Sequence, residues 1–105
     1  MTTVDTTDNA ALWQNAQKWT DTFYLSLQDG ALRRERRSRG LTLSVFHARS
    51  GVNRHHLSRI ETRDSARVYV DTARRLVRGL AGDGASEEEC GRLLRALCII
   101  DGGPE

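Results

Sequence analysis

Residues 41–61, LTLSVFHARSGVNRHHLSRIE, constrain the fold more than any other stretch, because they specify two short helices and the turn between them. Thr42 is a suitable N-cap for a helix whose inward positions are Leu43, Phe46 and His47. Gly51 then breaks the run, Val52 packs inward, and Asn53 caps a second helix. In that helix Leu57 and Ile60 fall three apart on one face and leave Arg54, His55, Ser58 and Arg59 outward.

A thin apolar seam opposite long hydrogen-bonding side chains suits contact with base edges and phosphates. Charge points the same way. Residues 1–29 carry one Lys and four Asp, a net of −3. Residues 30–80 carry thirteen Arg and four acids, a net of +9, and residues 81–105 carry two Arg and six acids, a net of −4. The whole-chain charge of +2 therefore hides a basic middle between acidic flanks, and such a middle fits a polyanionic partner. A GC-rich genome explains Arg over Lys but not the concentration of Arg in the middle of the chain.

Length allows one domain. MTTVDTTDNA has neither a basic n-region nor an apolar h-region, so no signal peptide is expected there, and no apolar run reaches membrane-spanning length. Residues 1–8 are Thr- and Asp-rich and are expected to be disordered. Over 9–29, Leu12, Trp13, Ala16, Trp19, Phe23 and Leu27 step by three and four, which predicts one amphipathic helix ending at Asp29-Gly30. An arginine-rich helix follows over about 31–39, then the pair already described, a polar TRDSAR connection and a helix over about 70–80. Ser86 and Glu89 form a capping box for a last helix over 87–99, within a C-terminal unit spanning 85–100. With no strand-like alternation evident, the expectation is an all-α chain of about six helices. Cys90 and Cys98, eight apart and so about 12 Å along one helix, cannot bridge there and read as buried thiols in a reducing cytoplasm.

Gly40–Glu61, GLTLSVFHARSGVNRHHLSRIE, resembles the Cro/repressor-type helix-turn-helix, the lambda-repressor-like or xenobiotic-response-element family. The resemblance is firm over 31–61, looser over 62–80, and absent from 1–29 and 85–105. It implies a helix-turn-helix bundle over residues 30–80 with additional N- and C-terminal helices. It also implies that Asn53, Arg54, His55 and Arg59 meet bases. Thr42, Leu43, Arg37, Arg39, His56, Ser58, Arg63 and Arg67 fall where phosphates are held, and Arg36 and Glu61 fall where the family often has an ion pair. The chain departs from the pattern at His47, where a small Ala is usual, at Glu35, where an apolar residue is common, and at Thr62-Arg63, where a Gly usually ends the recognition helix.

The expected function is sequence-specific binding of double-stranded DNA as a transcriptional regulator, a repressor first. An antitoxin-type protein that also holds a toxin, or an interaction-only protein of the same fold, is the alternative. One recognition helix covers few base pairs, so a homodimer on a two-fold symmetric operator is expected. The apolar stripes at 12–27 and 90–98 are surplus to the family's core. The N-terminal one is favoured as the dimer contact because Trp13, Trp19 and Phe23 are residue types that anchor interfaces. No metal or cofactor is expected: adjacent His55 and His56 point in different directions, with no Cys or acid pair at ligand spacing. No nucleophile, base and orienting residue converge, so an enzyme is not expected.

Overall fold

A computed structural model of the chain describes residues 8–19, 23–28, 30–62 and 67–99. Six helices and two short strands follow in the order α1 (Asn9–Ala16), β1 (Tyr24–Ser26), α2 (Ala31–Ser38), α3 (Leu43–Ser50), α4 (Arg54–Thr62), β2 (Arg67–Tyr69), α5 (Val70–Ala81) and α6 (Glu87–Leu97). Helices account for 67% of these residues, so the molecule is mainly helical with a small two-stranded sheet.

Local chemistry sets most helix starts. Asp8, Thr42 and Ser86 each stand in extended conformation, and their side-chain oxygens accept from the amides of Ala11, Val45 and Glu89 at 3.0, 3.1 and 3.1 Å. Each cap satisfies a donor that the first helical turn leaves without a partner. Gly51 ends α3 at φ 76°, a left-handed conformation that costs Gly nothing and lets the chain turn sharply into α4.

The core is continuous. Phe46, Leu57, Val70, Ala73, Leu76, Val77, Leu93, Leu94 and Leu97 are fully buried, and fully burying each large aliphatic or aromatic side chain stabilises the fold by about 1.5–3 kcal/mol. α5 is the central helix, packed against α3 on one side and α6 on the other. Gly79 permits the α3 contact: a Cβ there would stand 2.7 Å from the Phe46 ring and from Ser50 Cβ.

Two expectations are corrected. The single helix over 9–29 stops at Ala16, and residues 24–26 form a strand that pairs antiparallel with 67–69, with Leu25 opposite Val68. Trp19, Phe23 and Leu27 are four apart and so imitate a helical stripe. The buried residues are instead Leu25 and Leu27, the period of a strand with one face inward. The last helix likewise ends at Leu97, because Cys98 becomes extended and pairs with Leu27, while the Ile99 amide donates to the Ser26 carbonyl at 2.8 Å. β1 thus lies between β2 and residues 98–99.

α1 lies along α6, so the start of the N-terminal stripe, Leu12, Trp13 and Ala16, packs within its own chain. Trp13 is only 6% exposed and belongs to the core of its own chain. It is unavailable as the interface anchor that the sequence suggested. Trp19 is half-buried, with its ring edge-on to exposed Phe23 at 6.1 Å.

Candidate nucleic-acid interface

α4 is seated by its inner face and left open on its outer one. Leu57 and Ile60 are buried, at 0% and 7% exposure, as their spacing demanded. Asn53 Oδ1 accepts from the amides of His55 and His56 at 2.8 and 3.3 Å, which fixes the N-terminal turn. Arg54, His55, His56, Ser58 and Arg59 are all exposed. Among the described residues, neither arginine has a carboxylate partner. The turn before α4 is also braced. Ser50 Oγ accepts from the Val52 amide at 3.1 Å, and Val52 is buried.

His47 is exposed rather than inward, a further departure from expectation. Its Nδ1 lies 2.8 Å from the Val52 carbonyl oxygen, so the ring folds along the turn and ties α3 to the segment preceding α4. As Nδ1 meets an acceptor, it carries the proton in this arrangement. The bulk at this position is accommodated without opening the α3–α5 contact.

The far end of α4 is clamped. Arg36 Nε meets Glu61 Oε2 at 2.6 Å and Arg36 Nη2 meets Oε1 at 2.8 Å, with the side chains 11% and 6% exposed. Arg36 Nη1 also donates to the Leu41 carbonyl at 2.7 Å. One guanidinium thus joins α2, the α2–α3 turn and the last turn of α4. The hydrogen bonds that Arg36 donates to Glu61 push its pKa up despite the opposing effect of burial. A carboxylate near a helix C-terminus opposes the helix dipole, and Arg36 offsets that opposition here.

The remaining candidate residues divide. Thr42 is exposed as the α3 cap, and Leu43 is half-buried against the core. Arg37 is exposed on α2. Arg39, at the C-terminal end of α2, is committed to α6 instead, where its Nη2 meets Glu89 Oε2 at 3.1 Å. Arg67 does not lie in a loop as expected: it stands on β2 with its guanidinium 5.2 Å from the centre of the Tyr24 ring. Arg63 lies outside the described residues.

The sequence marks no role for Arg74 or Arg78, and for Glu89 only the capping box with Ser86, whereas its carboxylate turns to arginines instead. Arg74, largely buried, donates from Nη1 to the Ala16 carbonyl at 2.7 Å at the C-terminal end of α1. Arg78 donates to Gln17 Oε1 at 2.8 Å and lies over the Trp13 ring at 5.6 Å. No local pattern marks these contacts, because the Ala16 carbonyl and Gln17 lie more than fifty residues away. Glu89 accepts from Arg92 and Arg39, and those bonds hold its carboxyl below the usual carboxylate range. Burial raises the Cys90 thiol pKa and pushes that of Cys98 up to about 12, so both are protonated at neutral pH. Among the described residues no three His, Cys, Asp or Glu side chains gather to hold a metal, and no helix is long and apolar enough to cross a membrane.

Comparison with known proteins finds no matching family model, no matching curated protein and no matching solved structure.

Proposed function

We propose that the chain is a sequence-specific double-stranded DNA-binding protein, a transcriptional regulator of repressor type, in which α3 and α4 act as a lambda-repressor-like helix-turn-helix. The observation that carries this reading is the division of α4. Its inner residues are buried, its last turn is clamped by Arg36, and its outer face presents Asn53, Arg54, His55 and Arg59 with no carboxylate among the described residues to neutralise the arginines. A rigid helix with uncommitted donors is what readout of base edges requires, since Arg binds the O6 and N7 of guanine through two parallel hydrogen bonds. Arg37 on α2 and Thr42 at the start of α3 supply phosphate contacts beside it.

A helix of this length touches few base pairs, so the reading includes a two-fold symmetric operator with half-sites about one DNA turn, roughly 34–36 Å, apart. Buried, protonated thiols suit a reducing compartment such as the cytoplasm. Selection of bound sites from random duplex DNA with the purified full chain tests the proposal. The expected result is an enriched motif with inverted symmetry. Recovery of unenriched sequences at every salt concentration would overturn it.

A further inference from the structure

The outer face of α4 is short of hydrogen-bond acceptors, and the shortage limits which bases it can recognise. Arg54 and Arg59, both exposed, carry donors only. Glu61, the one carboxylate in α4, is buried and taken up by Arg36 at 2.6 and 2.8 Å. The Thr62 hydroxyl turns back along the helix and donates to the Ser58 and Arg59 carbonyls, at 3.0 and 3.2 Å.

Asn53, immediately before the helix, decides the matter. The amides of His55 and His56 donate to its Oδ1 at 2.8 and 3.3 Å. A carboxamide oxygen has two lone pairs, so these two amides fill it. Turning the carboxamide over would set its NH2 group against two further donors, so the oxygen faces the helix. Asn53 therefore keeps only Nδ2, a donor, for anything outside the chain. The outward acceptors that remain are the Ser58 hydroxyl and the ring nitrogens of His55 and His56, and each of those groups also carries a donor.

Bases differ in what they offer to such a face. In the major groove guanine presents two acceptors, O6 and N7, which match two N–H groups of one guanidinium. Adenine presents N7 beside an amino donor, and Asn reads that pair only with its oxygen and nitrogen together. Cytosine presents an amino donor, which also calls for an acceptor from the protein. We infer that α4 recognises a guanine-centred half-site through Arg54 and Arg59, and that Asn53 is a positioning residue that caps α4 and reads no adenine. The inference rests on the DNA-binding reading of α4 and narrows it to duplexes that place guanines under this helix. It also removes Asn53 from the base-reading set that the family resemblance implied.

Site selection from random duplexes by the full chain and by Asn53→Ser, then binding to the selected site carrying base analogues, tests the inference. Ser caps helices about as well as Asn, so Asn53→Ser keeps the positioning role and loses the carboxamide. Its base preference should equal the parent's at every position. Asn53→Ala, lacking a cap, should bind all duplexes more weakly with the preference unchanged. At the guanines of the selected half-site, 7-deazaguanine lacks the N7 acceptor and should weaken binding by the parent about tenfold. Inosine keeps O6 and N7 and should behave as guanine does. At one of those positions Arg59→Ala should no longer distinguish guanine from 7-deazaguanine. Failure to enrich any motif would overturn the DNA-binding reading and this inference together. A motif insensitive to 7-deazaguanine at every position, or an Asn53→Ser protein that no longer prefers an adenine the parent selects, would overturn this inference alone. The analogue measurements use the unmodified chain and so decide the matter even if Asn53→Ser does not fold.

Discussion

The arginines of the basic middle form two sets that composition cannot tell apart. Arg36, Arg39, Arg74 and Arg78 are committed within the chain, to Glu61, Glu89, the Ala16 carbonyl and Gln17 respectively. Arg54 and Arg59 on α4 and Arg37 on α2 stand exposed, with no carboxylate partner among the described residues. The first set holds α2 to α4 and to α6, and α1 to α5, and the second is left to meet an external anion. A basic segment therefore identifies a class of partner, but only the pairing of each guanidinium identifies which residues face it.

Breaking the committed set should cost stability. Glu61→Ala strands the Arg36 charge in a largely buried place, an expected loss of about 3–5 kcal/mol. For a domain of this size that lowers the melting temperature by more than about 10 °C. Arg54→Ala should stay within about 0.5 kcal/mol of the parent, as surface changes usually do. Equal melting temperatures for the two variants would erase the distinction between the sets.

Arg74→Ala should be milder, about 1.5–3 kcal/mol for a lost charged hydrogen bond. The loss should be local. Hydrogen exchange should quicken in α1, whose C-terminal carbonyl loses its donor, and stay unchanged in α4. Uniform loosening of both helices would mean that Arg74 is not specific to α1.

Glu89 sharpens the comparison with a smaller effect. Arg92 and then Arg39 hold its carboxyl below the ordinary range, so its contribution is present above that range and is lost as pH falls through the depressed folded-state value. Glu89→Gln should therefore lose stability at neutral pH and show a flatter fall in acid than the parent. Superimposable stability profiles from neutral to acid pH would show that Glu89 contributes nothing.

The parts of the fold fixed by neighbouring residues were legible. Thr42, Gly51, Asn53 and Ser86 act within one helical turn, and α3, α4 and the start of α6 lie where those residues put them. The ion pair between Arg36 and Glu61 was reached through resemblance rather than spacing. The sheet was not legible, because β1 finds its partner far along the chain and FYLSL supports a helical stripe almost as well as a strand. Trp13 was assigned to an interface because its true cover, α6, lies at the other end of the sequence. His47 shows the limit of a three-four stripe: it sits at the margin of the buried face, where the Val52 carbonyl outcompetes the core for its ring.

The central claim is that the outward face of α4 reads duplex DNA while arginines elsewhere do not. The most direct measurement compares Arg59→Ala with Arg75→Ala, two exposed arginines of equal charge. Arg75 lies on α5, with its Nε 3.1 Å from Asp71 Oδ2. Binding of each variant to a duplex selected by the parent, and to single-base variants of it, should show a loss of about 1–3 kcal/mol and a relaxed preference at one position for Arg59→Ala. Arg75→Ala should keep the parent's base preference. Indistinguishable behaviour of the two variants, or parental affinity and preference in Arg59→Ala, would contradict the account.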